Sequence, residues 1–169
     1  MLRAILITHP VCVEIAPKTS NIKVFAMNTF HFAAVDLGAT SGRVILATLS
    51  EGKISMEEIH RFADPIIAMQ GHYYWDFAAI YQSVIEGLKK IAERKIPIKA
   101  IGIDTWGVDI VPIGKDGSIL GMPRAYRDPY TDGAPEQFFK IVAREDVYSK
   151  TGIQFMNFNT LFQIFAAVK

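Results

Sequence analysis

One carboxylate, two glycines, two hydroxyls and an arginine fall within eight residues near the start of the chain, in Asp36-Leu37-Gly38-Ala39-Thr40-Ser41-Gly42-Arg43. Those residue types can hold a phosphate. Gly38 and Gly42 let backbone come close to a ligand. Thr40 and Ser41 bring hydroxyl and amide donors, and Arg43 brings a planar cationic fork. Asp36 is a hard oxygen ligand, suited to Mg²⁺ held partly through water and partly by phosphate. Short β-prone runs lie on both sides, Phe32 to Leu37 and Val44 to Leu49, so the segment reads as strand, turn, strand. An ordinary hairpin with a glycine-rich turn has the same pattern. Neither GxGxxG leading into a helix nor GxxxxGK[ST] is present.

Two further stretches carry polar chemistry. In Gly102-Ile103-Asp104-Thr105-Trp106-Gly107-Val108-Asp109 an apolar run opens into a turn with an indole, a glycine and two carboxylates. Trp106 can pack on a sugar face and Asp109 can accept hydroxyl hydrogen bonds; Trp106 as plain core is the other reading. Carboxylates in such a run are costly to bury without partners. The third stretch is Ala125-Tyr126-Arg127-Asp128-Pro129-Tyr130-Thr131-Asp132-Gly133. It reads as a polyol-binding loop, with Arg127 as donor and Asp128 holding it, or as a solvated loop with a local ion pair.

The elements that must position these groups follow in order. After the opening hairpin, Glu51-Gly52-Lys53 is a turn signal, and Ile54 to Phe62 reads as a third antiparallel strand ended by Asp64 and Pro65. Residues 66–75 read as a loop ending in His72-Tyr73-Tyr74-Trp75. Asp76 caps a helix whose apolar face is Phe77, Ile80, Tyr81, Val84, Leu88, Ile91 and Ala92, with Glu86 and Lys90 as an i,i+4 pair. Lys99 to Asp104 is a buried-type strand. Following a helix, it belongs parallel to the first strand, with 105–109 emerging beside the phosphate turn, where ligands sit in open α/β sheets. A small hairpin spans Ile110–Ile113 and Ile119–Met122. Then come a polar loop over 124–133, a helix from Pro135 to about Ala143, a helical turn over Arg144–Lys150, and a last helix capped by Asn159.

Composition narrows the class. At 169 residues one domain is the default. A net charge of +1, with half the residues hydrophobic, gives no electrostatic footprint for nucleic acid and does not fit a disordered tail. The single cysteine, Cys12, cannot form an internal disulfide and fits a reducing, cytoplasmic setting. No apolar run reaches the ~18 residues of a membrane span. Residues 1–26 read as an upstream extension before a functional start at Met27, or as a weak extra strand over 22–27. His9, Pro10 and Glu14 break the apolar core that a secretory leader needs.

The first segment resembles the phosphate hairpin of the actin, hexokinase and sugar-kinase superfamily. Three strands, a helix and a fourth strand is the opening of a ribonuclease-H-like α/β fold, a mixed sheet with helices, which is that superfamily's core. Add Glu58-Ile59-His60-Arg61-Phe62, Gly102 to Asp109, Tyr126-Arg127-Asp128 and Ser149-Lys150-Thr151-Gly152-Ile153-Gln154-Phe155, in that order. From about Met27 to Lys169 the chain is then similar to the N-terminal part of FGGY carbohydrate kinases, and among them to rhamnulokinases. The resemblance implies ATP binding through Ala39, Thr40, Ser41, Gly42 and Arg43, metal binding at Asp36, and substrate contact at Gly107. Trp106, Asp109 and Arg127 extend the sugar site from the residues alone. The implied chemistry is transfer of the ATP γ-phosphoryl group, with Mg²⁺, to the 1-hydroxyl of L-rhamnulose. A xylulose or fuculose kinase is an alternative, as is a non-catalytic actin-like module binding a sugar or partner in the same cleft. Family members are longer. The catalytic base, the adenine pocket and the second lobe are expected beyond Lys169, so 27–169 reads as a partial first domain, inactive alone, with no catalytic residue of its own.

Overall fold

The computed structural model describes residues 29–168; the expected extension over 1–26 lies outside them. Three strands form an antiparallel meander: β1 Phe30–Leu37, β2 Ser41–Ser50 and β3 Lys53–Ala63. Glu51 and Gly52 both take positive φ in the tight β2–β3 turn, the twist-matched geometry of two-residue hairpins.

Residues 66–75, expected as a loop, are instead a second hairpin, β4 Ile66–Met69 paired with β5 His72–Trp75. Its two-residue turn is Gln70-Gly71, with φ of 53° and 80°. Glutamine is not among the usual turn residues at a left-handed position, which is why the spacing alone did not show it. Asp76 then caps α1 Phe77–Ala92, its side chain accepting from the Ala79 amide at 3.0 Å. The helix carries the chain across the sheet to β6 Ile98–Asp104, which pairs parallel to β1 with Asp104 opposite Asp36. The sheet order is β3-β2-β1-β6, which is the expected ribonuclease-H-like opening; β6, expected as a buried-type strand, is instead exposed, because among the described residues it is an edge with β1 as its one strand neighbour.

The core sits between α1 and the sheet. Ala33, Val35, Val44, Leu46 and Ile91 are buried together, flanked by Val84 and Leu88. At Gly87 a Cβ would come within 2.4 Å of Val44, so the glycine sets how closely α1 lies on β2. Phe77 and Tyr81, expected on the buried face, are exposed, because the inward stripe runs through Ile80, Gly87 and Ile91.

The rest of the chain packs beside this unit. The hairpin expected over 110–122 is reduced to one bridge, Ile113 to Ile119. The segment after Pro123 is not a free polar loop. Arg124 bridges Tyr74, and the Ala125 amide donates to the Tyr73 carbonyl. Three short helices follow: α2 Ala134–Phe138, α3 Arg144–Thr151 and α4 Thr160–Ala167. The first stops short of Ala143: beyond Phe138 the chain passes into turns, with the Ile141 and Val142 amides both donating to the Phe138 carbonyl and Ile141 left 73% exposed. Phe138, Phe139, Phe155 and Phe162 join these helices through edge-on ring contacts.

Candidate functional site

Both strands that carry the polar motifs end at one side of the sheet. β1 delivers Asp36 and Leu37 into the turn 38–41, and β6, parallel and adjacent, delivers Asp104 into 105–109. The glycine-rich motif at 36–43 and the Trp-Gly-Val-Asp motif at 106–109, 63 or more positions apart in the chain, therefore leave neighbouring strand ends, as the order of elements predicts.

The turn itself is tight. The Gly38 amide donates to the Ser41 carbonyl at 3.1 Å, and a Cβ on Gly38 would press that same oxygen at 3.0 Å. At Gly42 a Cβ would sit 2.5 Å from the Phe62 ring and 3.0 Å from Leu37, so only glycine fits. Ala39 and Thr40 are exposed. Among the described residues the hydroxyls of Thr40 and Ser41 have no protein partner, so both remain available to a ligand.

Asp36 and Arg43, read from the sequence as separate ligands, are paired with each other. Arg43 donates from Nη2 at 2.6 Å and from Nε at 3.0 Å, both to Asp36 Oδ2. The pair is about two-fifths exposed on both sides, a setting in which an ion pair contributes at most ~1 kcal/mol. It leaves Asp36 Oδ1 and Arg43 Nη1 without protein partners among the described residues. Asp104 is exposed beside them. No group of three or more metal-ligating side chains occurs among the described residues. One or two carboxylates fit Mg²⁺, which keeps most of its water and phosphate oxygens, and do not fit a cation needing an all-protein cage.

A second apolar cluster links the turn to the other motif. Trp75, Ile80 and Ala125 are buried together, and Leu37, Phe62, Trp106 and Tyr126 pack on them. Trp75 and Trp106 lie with ring centroids 4.5 Å apart. Trp106 is therefore partly core, as one reading allowed, and it is only half-buried. Asp109 sits between the indoles. Its Oδ2 accepts from Trp75 Nε1 at 2.6 Å and Trp106 Nε1 at 3.0 Å, and its Oδ1 accepts from Gln163 Nε2 at 2.8 Å. Gly107 is exposed, and a Cβ there would meet nothing within 4 Å. The fold does not itself demand a glycine at that point.

Arg127 is exposed, stacked 5.5 Å over the Tyr126 ring. The expectation that Asp128 holds it is overturned. Asp128 is buried and turns the other way: it accepts from the Tyr73 amide at 2.6 Å, the Tyr130 amide at 2.9 Å and His72 Nδ1 at 3.1 Å. Asp128-Pro129 starts a 3-10 turn, Pro129–Thr131, and the capping geometry draws the carboxylate inward. Tyr130, half-buried above this turn, has its phenol pushed up to about 12 by burial, with the Asp109 carboxylate the next cause.

Sequence reasoning missed two residues. Gln163, fully buried, reaches Asp109 from α4. Asp64, just after β3, is 6% exposed, and among the described residues neither carboxylate oxygen has a hydrogen-bond partner. Its amide donates to the Thr40 carbonyl at 3.1 Å, tying it to the phosphate turn. Burial pushes its carboxyl up to about 6. An aspartate before a proline reads in sequence only as a strand terminator.

The chain is similar over residues 31–165 to the N-terminal domain of the FGGY family of carbohydrate kinases. It is 58% identical to the rhamnulokinase of Bacteroides thetaiotaomicron over 134 residues, 79% of this chain and 28% of that one. It is 46% identical to the rhamnulokinase of Mannheimia succiniciproducens, over 82% of this chain and 29% of the relative. The chain thus spans under a third of the length of these curated relatives. Among solved structures it superposes on a gluconate kinase from Lactobacillus acidophilus with a TM-score of 0.69 at 18% identity, over 84% of this chain and 29% of that one. Plasmodium falciparum glycerol kinase with ADP gives 0.58 at 20% identity, over 80% and 28%. At those identities the structures speak for the fold alone, a mixed sheet with helices of the actin and hexokinase type. No helix among the described residues is long and apolar enough to cross a membrane.

Proposed function

We propose, since the chain belongs to the FGGY family of carbohydrate kinases, that it forms the phosphate clamp and part of the sugar wall of an ATP-dependent kinase for L-rhamnulose. The observation that carries this reading is the meeting of two motifs at one end of the sheet, with Leu37, Trp75 and Trp106 packed between them. In this proposal the hydroxyls of Thr40 and Ser41, the amides of 39–42 and Arg43 take the ATP phosphates. Asp36 holds Mg²⁺, which when bound neutralises phosphate charge. Gly107, the Trp106 face and Arg127 meet the ketose.

Phosphoryl transfer is mostly positioning and charge stabilisation. The ketose 1-hydroxyl oxygen bonds to the γ-phosphorus as the bond to the β–γ bridging oxygen breaks, ADP leaves, and the hydroxyl proton passes to a base. Asp36 is tied to Arg43, Asp109 to three donors, and Asp128 is buried. None of these three is placed for that proton; in this proposal Asp104, exposed beside the Asp36–Arg43 pair, belongs to the sugar wall, and the base is assigned to the part of the relatives that this chain does not span.

A chimera tests the reading. Residues 29–168 replace their counterpart in the Bacteroides rhamnulokinase, and ADP formation is followed with L-rhamnulose, L-fuculose and D-xylulose. The expected result is a kcat/KM for rhamnulose at least about tenfold above the others, the scale of one or two pocket contacts. Preference for another ketose reassigns the substrate. A folded chimera without turnover on any of them favours a binding module.

A further inference from the structure

Asp109 occupies a position that the fold goes to some trouble to create. Its φ is 77°, in the left-handed region that few residues with a side chain adopt, though aspartate does so more readily than most. Three donors from three elements converge on its carboxylate: Trp75 at the end of β5, Trp106 in the turn after β6, and Gln163 on α4. Trp75 is 3% exposed and Gln163 is fully buried, so neither donor has water as a substitute. Of the four acceptor positions on a carboxylate, three are filled by the protein. A residue free to grip a ketose would not be so engaged.

We infer that Asp109 is a positioning residue, clamping Trp106 and the turn that carries Gly107 against the buried Trp75 so that the ketose meets a preformed wall. The inference rests on the sugar-site reading above and replaces direct contact by Asp109 with support from behind. Its effect falls on ketose affinity. Removing the clamp frees the Trp106 indole and lets the 105–108 turn sample other conformations.

The chain has two tryptophans, and both bond to this one carboxylate. Near-UV circular dichroism and acrylamide quenching of the whole chain therefore read the clamp without any ligand. Asp109→Asn keeps a carbonyl oxygen for both indole N–H groups, and a flipped Gln163 amide then accepts from the new NH₂. Asp109→Leu removes all three bonds. Asp109→Leu should lose the coupled signal of the two stacked indoles and raise quenching, while Asp109→Asn keeps the parent spectrum. L-rhamnulose titrated against intrinsic fluorescence should bind Asp109→Leu about tenfold more weakly and Asp109→Asn within about threefold of the parent, the scale of one or two buried hydrogen bonds. A parent-like spectrum in Asp109→Leu overturns the clamp. Equal loss of rhamnulose binding in Asn and Leu variants overturns it in favour of direct contact by the charge. If Asp109→Leu does not fold, Gln163→Met removes one donor behind the wall, and unchanged quenching there overturns the clamp. If the spectra behave as expected and the parent chain ignores rhamnulose, the clamp stands and the sugar reading falls.

Discussion

Asp64→Asn should make the protein more stable at neutral pH. The parent carboxylate is buried, has no hydrogen-bond partner, and titrates at about 6 against an ordinary 3.8 because burial penalises its charge. Below pH 3.8 the group is protonated in both folded and unfolded chains and contributes no pH dependence. Between about 4 and 6 the folded state binds more protons than the unfolded one, so stability falls as pH rises, and above 6 the full penalty is in force. Two units at 1.36 kcal/mol each set a ceiling of about 3 kcal/mol. Asparagine removes the charge and keeps an unsatisfied amide, so the expected gain is about 1–3 kcal/mol. For a chain of this size that raises Tm by about 3–8 °C. Urea unfolding at low micromolar concentration, followed by tryptophan fluorescence at several pH values from 4 to 8, gives the difference directly. The gain should be largest above pH 6.5 and shrink towards zero near pH 4. A variant that is no more stable than the parent at pH 7.5, or whose advantage is the same at pH 4, would refute the argument that a buried charge is the cause.

Four other outcomes follow from the same geometry. Gly42→Ala forces a methyl into the Phe62 ring, so it should cost about 1–3 kcal/mol in urea unfolding and weaken ATP binding in calorimetry. Asp36→Asn in the chimera should lower turnover by about two orders of magnitude or more, with unfolding free energy changed by at most ~1 kcal/mol, since the ion pair to Arg43 is half exposed; a large stability loss with specific activity intact would make the residue structural. Among the described residues β6 is an unpaired edge with Ile101 56% and Ile103 66% exposed, so the 169-residue chain should self-associate at tens of micromolar in light scattering, and Ile101→Lys with Ile103→Lys should reduce it. The chain alone should form no ADP above buffer with ATP, Mg²⁺ and L-rhamnulose, because on the proposed reading this chain does not supply the general base, whose help is worth ~10²–10⁴-fold; rhamnulose-dependent turnover abolished by Asp104→Asn would put the base at Asp104 instead.

The parts legible in the sequence are those whose physics is local. The glycine-rich turn between β1 and β2 reads directly, because Gly38, Gly42 and their hydroxyl neighbours act within one hairpin. The helix announces itself through Asp76, whose cap bond spans three residues, and through spacing on one face. The parallel placement of β6 follows from a strand, a crossover helix and a strand. The β4–β5 hairpin stays hidden because Gln70 stands where asparagine or aspartate usually marks the turn. Asp128 misleads for a related reason. Its neighbour Arg127 is the obvious partner by sequence, yet the carboxylate finds the Tyr73 amide 55 positions away and the Tyr130 amide two positions on.

Asp109 shows where sequence stops being able to assign a role. Its residue type and its place after a strand both say ligand. One of its donors, Trp106, is three residues away and visible; Trp75 and Gln163 lie 34 and 54 positions off and reach it only once β5, β6 and α4 are assembled. A carboxylate that meets a substrate and one that holds the substrate's wall look the same in a motif, because a motif records the residue and not what has already claimed its oxygens. Saturation of the acceptor positions is the property that separates them. By that measure, among the described residues, the groups left open at this sheet end include the Thr40 and Ser41 hydroxyls, Asp36 Oδ1, Arg43 Nη1 and Asp104, with the bare backbone of Gly107, and the committed ones are Asp109 and Asp128. On the proposed reading, ligand chemistry falls to the turn 38–43 and the exposed side of 104–107, with the aromatic layer of Trp75 and Trp106 packed beneath them.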